Sequence, residues 1–226
     1  MTLQLPSATA TVHRLRYLVQ LLGTLAILAW LPGNIGKTLA FLSWWLVTFR
    51  RLTVAEAVLY CLTCVFFTVM NALSLRQGIF AFTQPDILGM PGYELLMWGF
   101  YVLHTWRLVG GVAPRAHHPA VWLLVILYCM AFSVIPNAQL LFAVTATLLL
   151  SGLILFHEPL DLAYVGYMVF LGAAVEYTGV YSGQWHYPGN PPGGVPLWFI
   201  TLWGGVGLFL RRLILSILAR YSRAST

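Results

Sequence analysis

Only six acidic residues occur in the 226-residue chain, and two of them, Glu94 and Glu176, sit where apolar segments would carry them into hydrocarbon. An ionisable group in a span costs several kcal/mol unless it faces a cavity or a partner. Glu176 lies in Gly172-Ala173-Ala174-Val175-Glu176-Tyr177-Thr178-Gly179, between one and two turns from the outer end of its segment, among small neighbours that let another helix approach. Set among apolar walls, it is expected to act as a proton donor. Glu94 follows Gly92-Tyr93 and opens a segment containing Trp98, Tyr101, His104 and Thr105. Spacings of four and three place residues 94, 98 and 101 on one helical face, with Thr105 continuing it and His104 on the same general side, one turn deeper. This stripe of a carboxylate, two aromatics, an imidazole and a hydroxyl runs inward from the outer surface. Asp86, His186, Asn71 and Gln84 reach the same level, so a convergent polar pocket near the outer leaflet is expected.

Each of these residues also has a structural role available. Glu176 can hydrogen-bond to Tyr or Asn on a neighbouring helix and hold the bundle together. Glu94 and Glu56 sit in the first turns of their helices, where the dipole favours a carboxylate. His104 can be a satisfied interhelical residue, and His117 and His118, beside Arg115, suit a headgroup-facing loop. His157-Glu158-Pro159-Leu160-Asp161 has the composition of a metal or proton site, but fits better as the capped start of a helix. Cys61-x-x-Cys64 lacks the further ligands of a zinc site and reads as packing. Gly179-x-x-x-Gly183 suits close helix packing, and Gly204, Gly205 and Gly207 suit a kink or close contact.

The elements that must position these groups follow from composition. Sixty per cent of the chain is hydrophobic and 8% charged, with a mean hydropathy of +0.82, whereas soluble domains carry about a quarter charged residues. A single integral membrane domain, residues 1–226, is expected: an all-α bundle of about eight spans. These fall near residues 17–31, 35–49, 54–75, 92–112, 119–135, 137–156, 160–181 and 195–212. The first two are short for a hydrocarbon core of about 30 Å, so six spans plus a re-entrant hairpin is the alternative. A charged stretch from His13 to Arg16 before an apolar run resembles a signal peptide's opening, but no small-x-small cleavage site follows, and a retained first span is expected.

With the N-terminus inside, Arg14, Arg16, Arg50, Arg51, Arg107, Arg115, Arg211, Arg212, Arg220 and Arg223 face the cytoplasm, leaving Lys37 and Arg76 outside. Ten of the twelve basic residues on one side is the bias that sets orientation, and both termini are then cytoplasmic. The outer loops are residues 76–91 and 182–194, irregular and constrained by proline and glycine. The formal charge of +6 comes from arginines at segment ends, not from a basic run, so nucleic acid is not an expected partner. Cys61, Cys64 and Cys129 fall in apolar segments and do not suggest a disulfide framework. No nucleotide fingerprint, phosphate loop or metal motif is evident, and the site is expected to need no cofactor and no metal.

Glu176-x-x-Gly179, Gly183-x-Trp185-x-Tyr187, Gly194-Val195-Pro196-Leu197-Trp198 and Trp203 together resemble a pattern of bacterial carotenoid hydratases and related membrane-embedded carotenoid cyclases. Tyr93-Glu94 is a second, weaker point of contact. The aspartate-rich and proline-glutamate-glutamate signatures of other cyclases are absent. The resemblance implies acid-catalysed hydratase or cyclase chemistry on an isoprenoid alkene, in which a carboxylic acid protonates a carbon–carbon double bond. It implies catalytic roles for Glu176, Glu94 and Asp86. Substrate contacts would come from Trp98, Tyr101, His104, Trp185, His186 and Tyr187, with the π-faces of Trp98, Tyr101, Trp185 and Tyr187 steadying a carbocation. Expected partners are membrane lipids and a hydrophobic small-molecule substrate, and the expected location is a cell membrane, the inner one of a bacterium. A small-solute transporter and a nonenzymatic accessory or assembly protein are the competing classes.

Overall fold

The computed structural model describes residues 8–114 and 119–219, with side chains from Leu15 onward. The side chains of Arg14, Arg115, His117, His118, Arg220 and Arg223, assigned above to the inner face, lie outside the described residues. The helices run α1 Ala8–Trp30, α2 Asn34–Phe49, α3 Val54–Arg76, α4 Glu94–Val109, α5 Ala120–Val134, α6 Ala138–Phe156, α7 Pro159–Tyr181 and α8 Trp198–Phe209. The last continues through a π-helical turn, Leu210–Leu215. The helix starts are written locally. Thr53 and Glu56 form a capping box before α3. Asn137 caps α6 by accepting from the backbone N–H groups of Gln139 and Leu140. Glu158 and Asp161 form a second capping box, with Pro159 at the first helical position of α7.

Four helical stretches are long and apolar enough to cross a membrane: Val54–Arg76, Ala138–Phe156, Pro159–Tyr181 and Pro192–Ala219. Their outward faces are apolar, with Leu62, Val65, Leu150, Ile154, Leu162 and Phe170 all exposed. An apolar belt of this kind suits lipid and not water, and the chain is a multi-pass membrane protein. The eight helices coincide in position with the eight expected segments. The first two are regular helices of 23 and 16 residues that pack against each other.

The centre of the bundle is α4. Met97 to Thr105 are all buried on it, and α3, α7 and α1 pack around it. Small residues bring α7 and α8 together: a Cβ on Gly207 would lie 2.6 Å from the Tyr164 carbonyl oxygen of α7. Gly179-x-x-x-Gly183 does not pack helices. Gly179 accommodates a tryptophan from the following loop, and Gly183 lies beyond α7 at φ 71° with open space around its Cα. The outer loops are more ordered than their composition suggested. Residues 81–82 (β1) and 185–186 (β2) pair antiparallel, with Ala81 opposite His186 and Phe82 opposite Trp185.

At the end of the bundle expected to face the cytoplasm, the inner end, the expected capped turn is also an ion-pair cluster. Arg211 binds both Asp161 and Glu158. Arg212 donates from Nε to Asp161 Oδ1 at 2.8 Å and lies 2.9 Å from Glu158. The wide π turn carries both arginines. Asp161 is fully buried there, so its charge depends on these partners. Glu56 similarly receives Arg107 Nε at 2.6 Å.

Candidate functional site

α7 supplies the site's central group and the space around it. Counting from Glu176, Gly172 is four residues back and Gly179 three residues on, so helical periodicity puts all three on one face. Each glycine is a seat for an indole: a Cβ on Gly172 would lie 2.2 Å from the Trp203 ring, and one on Gly179 would lie 2.0 Å from the Trp185 ring. Seated this way, both indoles aim their N–H groups at the carboxyl between them. Trp203 Nε1 donates to Glu176 Oε1 at 3.1 Å, and Trp185 Nε1 donates to Oε2 at 3.0 Å. Tyr187 donates its hydroxyl to Oε2 at 2.6 Å. An indole N–H can only donate, so each oxygen of Glu176 is addressed as an acceptor. Tyr187 lies in the loop before α8, where burial holds its phenol well above the ordinary value of 10 and keeps it a donor.

The strand pairing explains how the loop delivers two of these donors. Alternate residues of a strand point to opposite faces, so Trp185 and Tyr187 turn inward while His186 between them is exposed. Phe82, across from Trp185, packs on it edge to face with centroids 5.9 Å apart.

α4 supplies the opposite wall. Glu94 is 8% exposed and accepts from Asn71 Nδ2 of α3 at 3.0 Å. One turn on, Trp98 is stacked between Phe67 at 3.9 Å and Trp203 at 4.8 Å, and Tyr101 meets Trp203 edge-on at 4.9 Å. Glu94, Trp98, Tyr101, Glu176, Trp185, Tyr187, Trp203 and Asn71 all line one cavity, completed by Phe80, Phe82, Val175, Trp198 and Leu202. Its volume is about 40 Å³, enough for one or a few waters, which need roughly 10–15 Å³ each on the same measure. No cation of the described residues forms an ion pair with either carboxyl.

Three residues expected at this site lie elsewhere. Asp86 is exposed and accepts from the Gly92 backbone N–H at 2.9 Å, which closes the loop before α4. His186 faces outward. His104 is fully buried but turned toward α1 and α7: Nδ1 is 2.8 Å from Gln20 Oε1 and Nε2 is 2.5 Å from the Tyr167 hydroxyl. Gln20 Nε2 donates to Thr48 Oγ1 at 2.8 Å, leaving its Oε1 to accept from His104. The imidazole is therefore hydrogen-bonded at both nitrogens within the bundle. Gln20 in the apolar α1, with Thr24 one turn on, was the available signal for this partner. Asn71, expected only at the level of the site, proves to be a direct partner of Glu94. Among the described residues no three His, Cys, Asp or Glu side chains are grouped to hold a metal.

No protein-family model matches the chain, and no curated protein matches it significantly. Its architecture is similar to that of MvINS, solved as a cross-linked trimer, with a TM-score of 0.63 over 75% of this chain and 97% of that one at 17% sequence identity. That likeness is one of fold, and the chain is an all-α, multi-pass membrane bundle.

Proposed function

We propose that the protein is an intramembrane acid–base enzyme that adds water to, or removes it from, an isoprenoid or similar lipid-like alkene at the outer end of the bundle. The supporting observation is that Glu94 and Glu176 line one small aromatic cavity with neutral donors around them and no cation paired to either. In the hydration direction, Glu94 gives its proton to one carbon of the double bond, leaving a carbocation on the other. Water forms the new C–O bond and passes a proton to Glu176, which the two indoles and Tyr187 already address as an acceptor. Trp98, Tyr101 and Trp203 present π-faces to the cation. This assignment makes Glu176 the base and Glu94 the acid, whereas the sequence led to the expectation that Glu176 donates the proton.

The cavity of about 40 Å³ suits the water. A long alkene needs several hundred Å³, so it must enter by displacing an aromatic wall. The resemblance to carotenoid hydratases supports the same substrate class. The test is incubation of proteoliposomes with a polyunsaturated isoprenoid in H₂¹⁸O, scored by mass spectrometry for a labelled alcohol. Label is expected with the native chain, and Glu94→Gln and Glu176→Gln should each lower the rate about 100-fold or more while the proteins remain folded. Label formation at the native rate in Glu176→Gln rules the mechanism out.

A nonenzymatic, assembled membrane protein is the second reading, favoured by the tight packing around Glu176 and by a fold similar to that of a protein solved as a trimer. Under it, both variants leave every catalytic assay unchanged and shift only assembly, read by cross-linking in native membranes.

A further inference from the structure

At the inner end, Arg16 from α1, Arg50 and Arg51 from the α2–α3 turn, and Arg107 from the end of α4 surround an open pocket of about 570 Å³ floored by Tyr17 and Phe49. Two of the four guanidinium groups are anchored. Arg107 donates to the Phe49 and Arg51 carbonyls at 2.7 and 2.9 Å as well as to Glu56, and Arg16 donates to the Thr48 carbonyl. The other two are exposed, and among the described residues their side chains make no ion pair. Arg50 adopts φ 59°, a left-handed conformation rare for a residue with a side chain, where α2 gives way to the turn. Four positive charges thus meet one carboxylate, that of Glu56. Topology signals need only lie on the correct side of the membrane. Here arginines from three separate elements share one concavity.

The surface beside the pocket is apolar: Leu15, Leu46, Val47, Leu52 and Val54 are 57%, 67%, 71%, 40% and 82% exposed. An occupant matched to both surfaces has an anionic head and hydrocarbon tails. We propose that this pocket binds the phosphate group of an anionic phospholipid of the cytoplasmic leaflet, with Arg50 and Arg51 closing on it and Arg16 and Arg107 fixed behind them. The recognition is charge-assisted hydrogen bonding from guanidinium to phosphate oxygens.

The experiment uses the full chain purified in neutral detergent and titrated with phosphatidylglycerol or phosphatidylcholine, with bound lipid counted by native mass spectrometry. The native protein is expected to retain one phosphatidylglycerol in preference to phosphatidylcholine. Arg50→Gln with Arg51→Gln should weaken that binding roughly 30-fold, and Arg51→Gln alone about fivefold. Arg76→Gln, at the outer end, should leave it unchanged. Equal retention of the two lipids, or native-level retention by a folded double variant, overturns the proposal. Should the double variant fail to fold, the single variant decides in the same way. A second arm titrates inorganic phosphate into the delipidated chain. Phosphate binding as tight as that of the lipid, with the same loss in the variants, assigns the pocket to a soluble phosphate and overturns its lipid assignment.

Discussion

Glu56, Glu158 and Asp161 at the inner end each meet a guanidinium group, whereas Glu94 and Glu176 at the outer end accept from asparagine, indole and phenol groups. Burial alone does not separate the two sets, since Asp161 is more deeply enclosed than Glu94 or Glu176. The partner's charge does. Removing the charge of a carboxylate held by arginine in a dry interior strands a cation. A carboxyl held by neutral donors can exchange a proton without stranding an opposite charge. The inner end is therefore built as a clamp, and the outer end, under the proposed function, is where protons would move.

The comparison breaks most sharply at Asp161. Asp161→Asn leaves the half-exposed Glu158 as the one carboxylate partner of Arg211 and Arg212 among the described residues and should cost about 3–5 kcal/mol, read as the midpoint of denaturant unfolding in micelles. Glu176→Gln strands no cation and should cost about 1–2 kcal/mol, because its new N–H₂ group meets one of the fixed donors. Equal losses in the two variants would abolish the distinction. Gly172→Ala sharpens it at intermediate size: the added methyl must displace the Trp203 ring, at about 2 kcal/mol of overpacking. It should lower turnover as well, since the indole then no longer points at Glu176. Unchanged turnover would show that the indole's position is irrelevant.

The smallest effect is in acid. The Arg211 guanidinium holds Glu158 below its ordinary carboxylate value of 4.5. A depressed value stabilises the fold fully above the unfolded pKa and loses that contribution as the pH falls through the folded one. Unfolding midpoints should therefore fall slightly below about pH 4.5, and Glu158→Gln should flatten that slope. Because Glu158 is 44% exposed, solvent screening keeps the effect small.

Much of the outer site was legible because it is local. The spacing of Glu94, Trp98 and Tyr101 fixes one helical face. The alternation that turns Trp185 and Tyr187 inward and His186 outward was hidden, because the proline- and glycine-rich loop was expected to be irregular and its pairing with residues 81–82 joins segments far apart in the chain. The rest depended on chain segments that periodicity does not connect. His104 reads as part of the stripe until Gln20, 84 residues away in sequence, claims its Nδ1. Asp86 has the right chemistry, but the Gly92 amide lies within its reach. Asp161 was read as a helix cap, which it is. Its ion pairs were hidden because Arg211 and Arg212 already had a sufficient explanation as cytoplasmic markers.

The β1–β2 pair also places the site in time. Ala81 and His186 are 186 − 81 = 105 positions apart, and ribosomes add roughly 5–20 residues per second. The Glu94 wall therefore emerges some 5–20 s before the strand that brings Trp185 and Tyr187 to Glu176. Until then, through the synthesis of α5, α6 and α7, that wall lacks the loop aromatics that close the cavity. Asn71, which precedes Glu94 in the chain and bonds to it, is the partner already made when that interval begins.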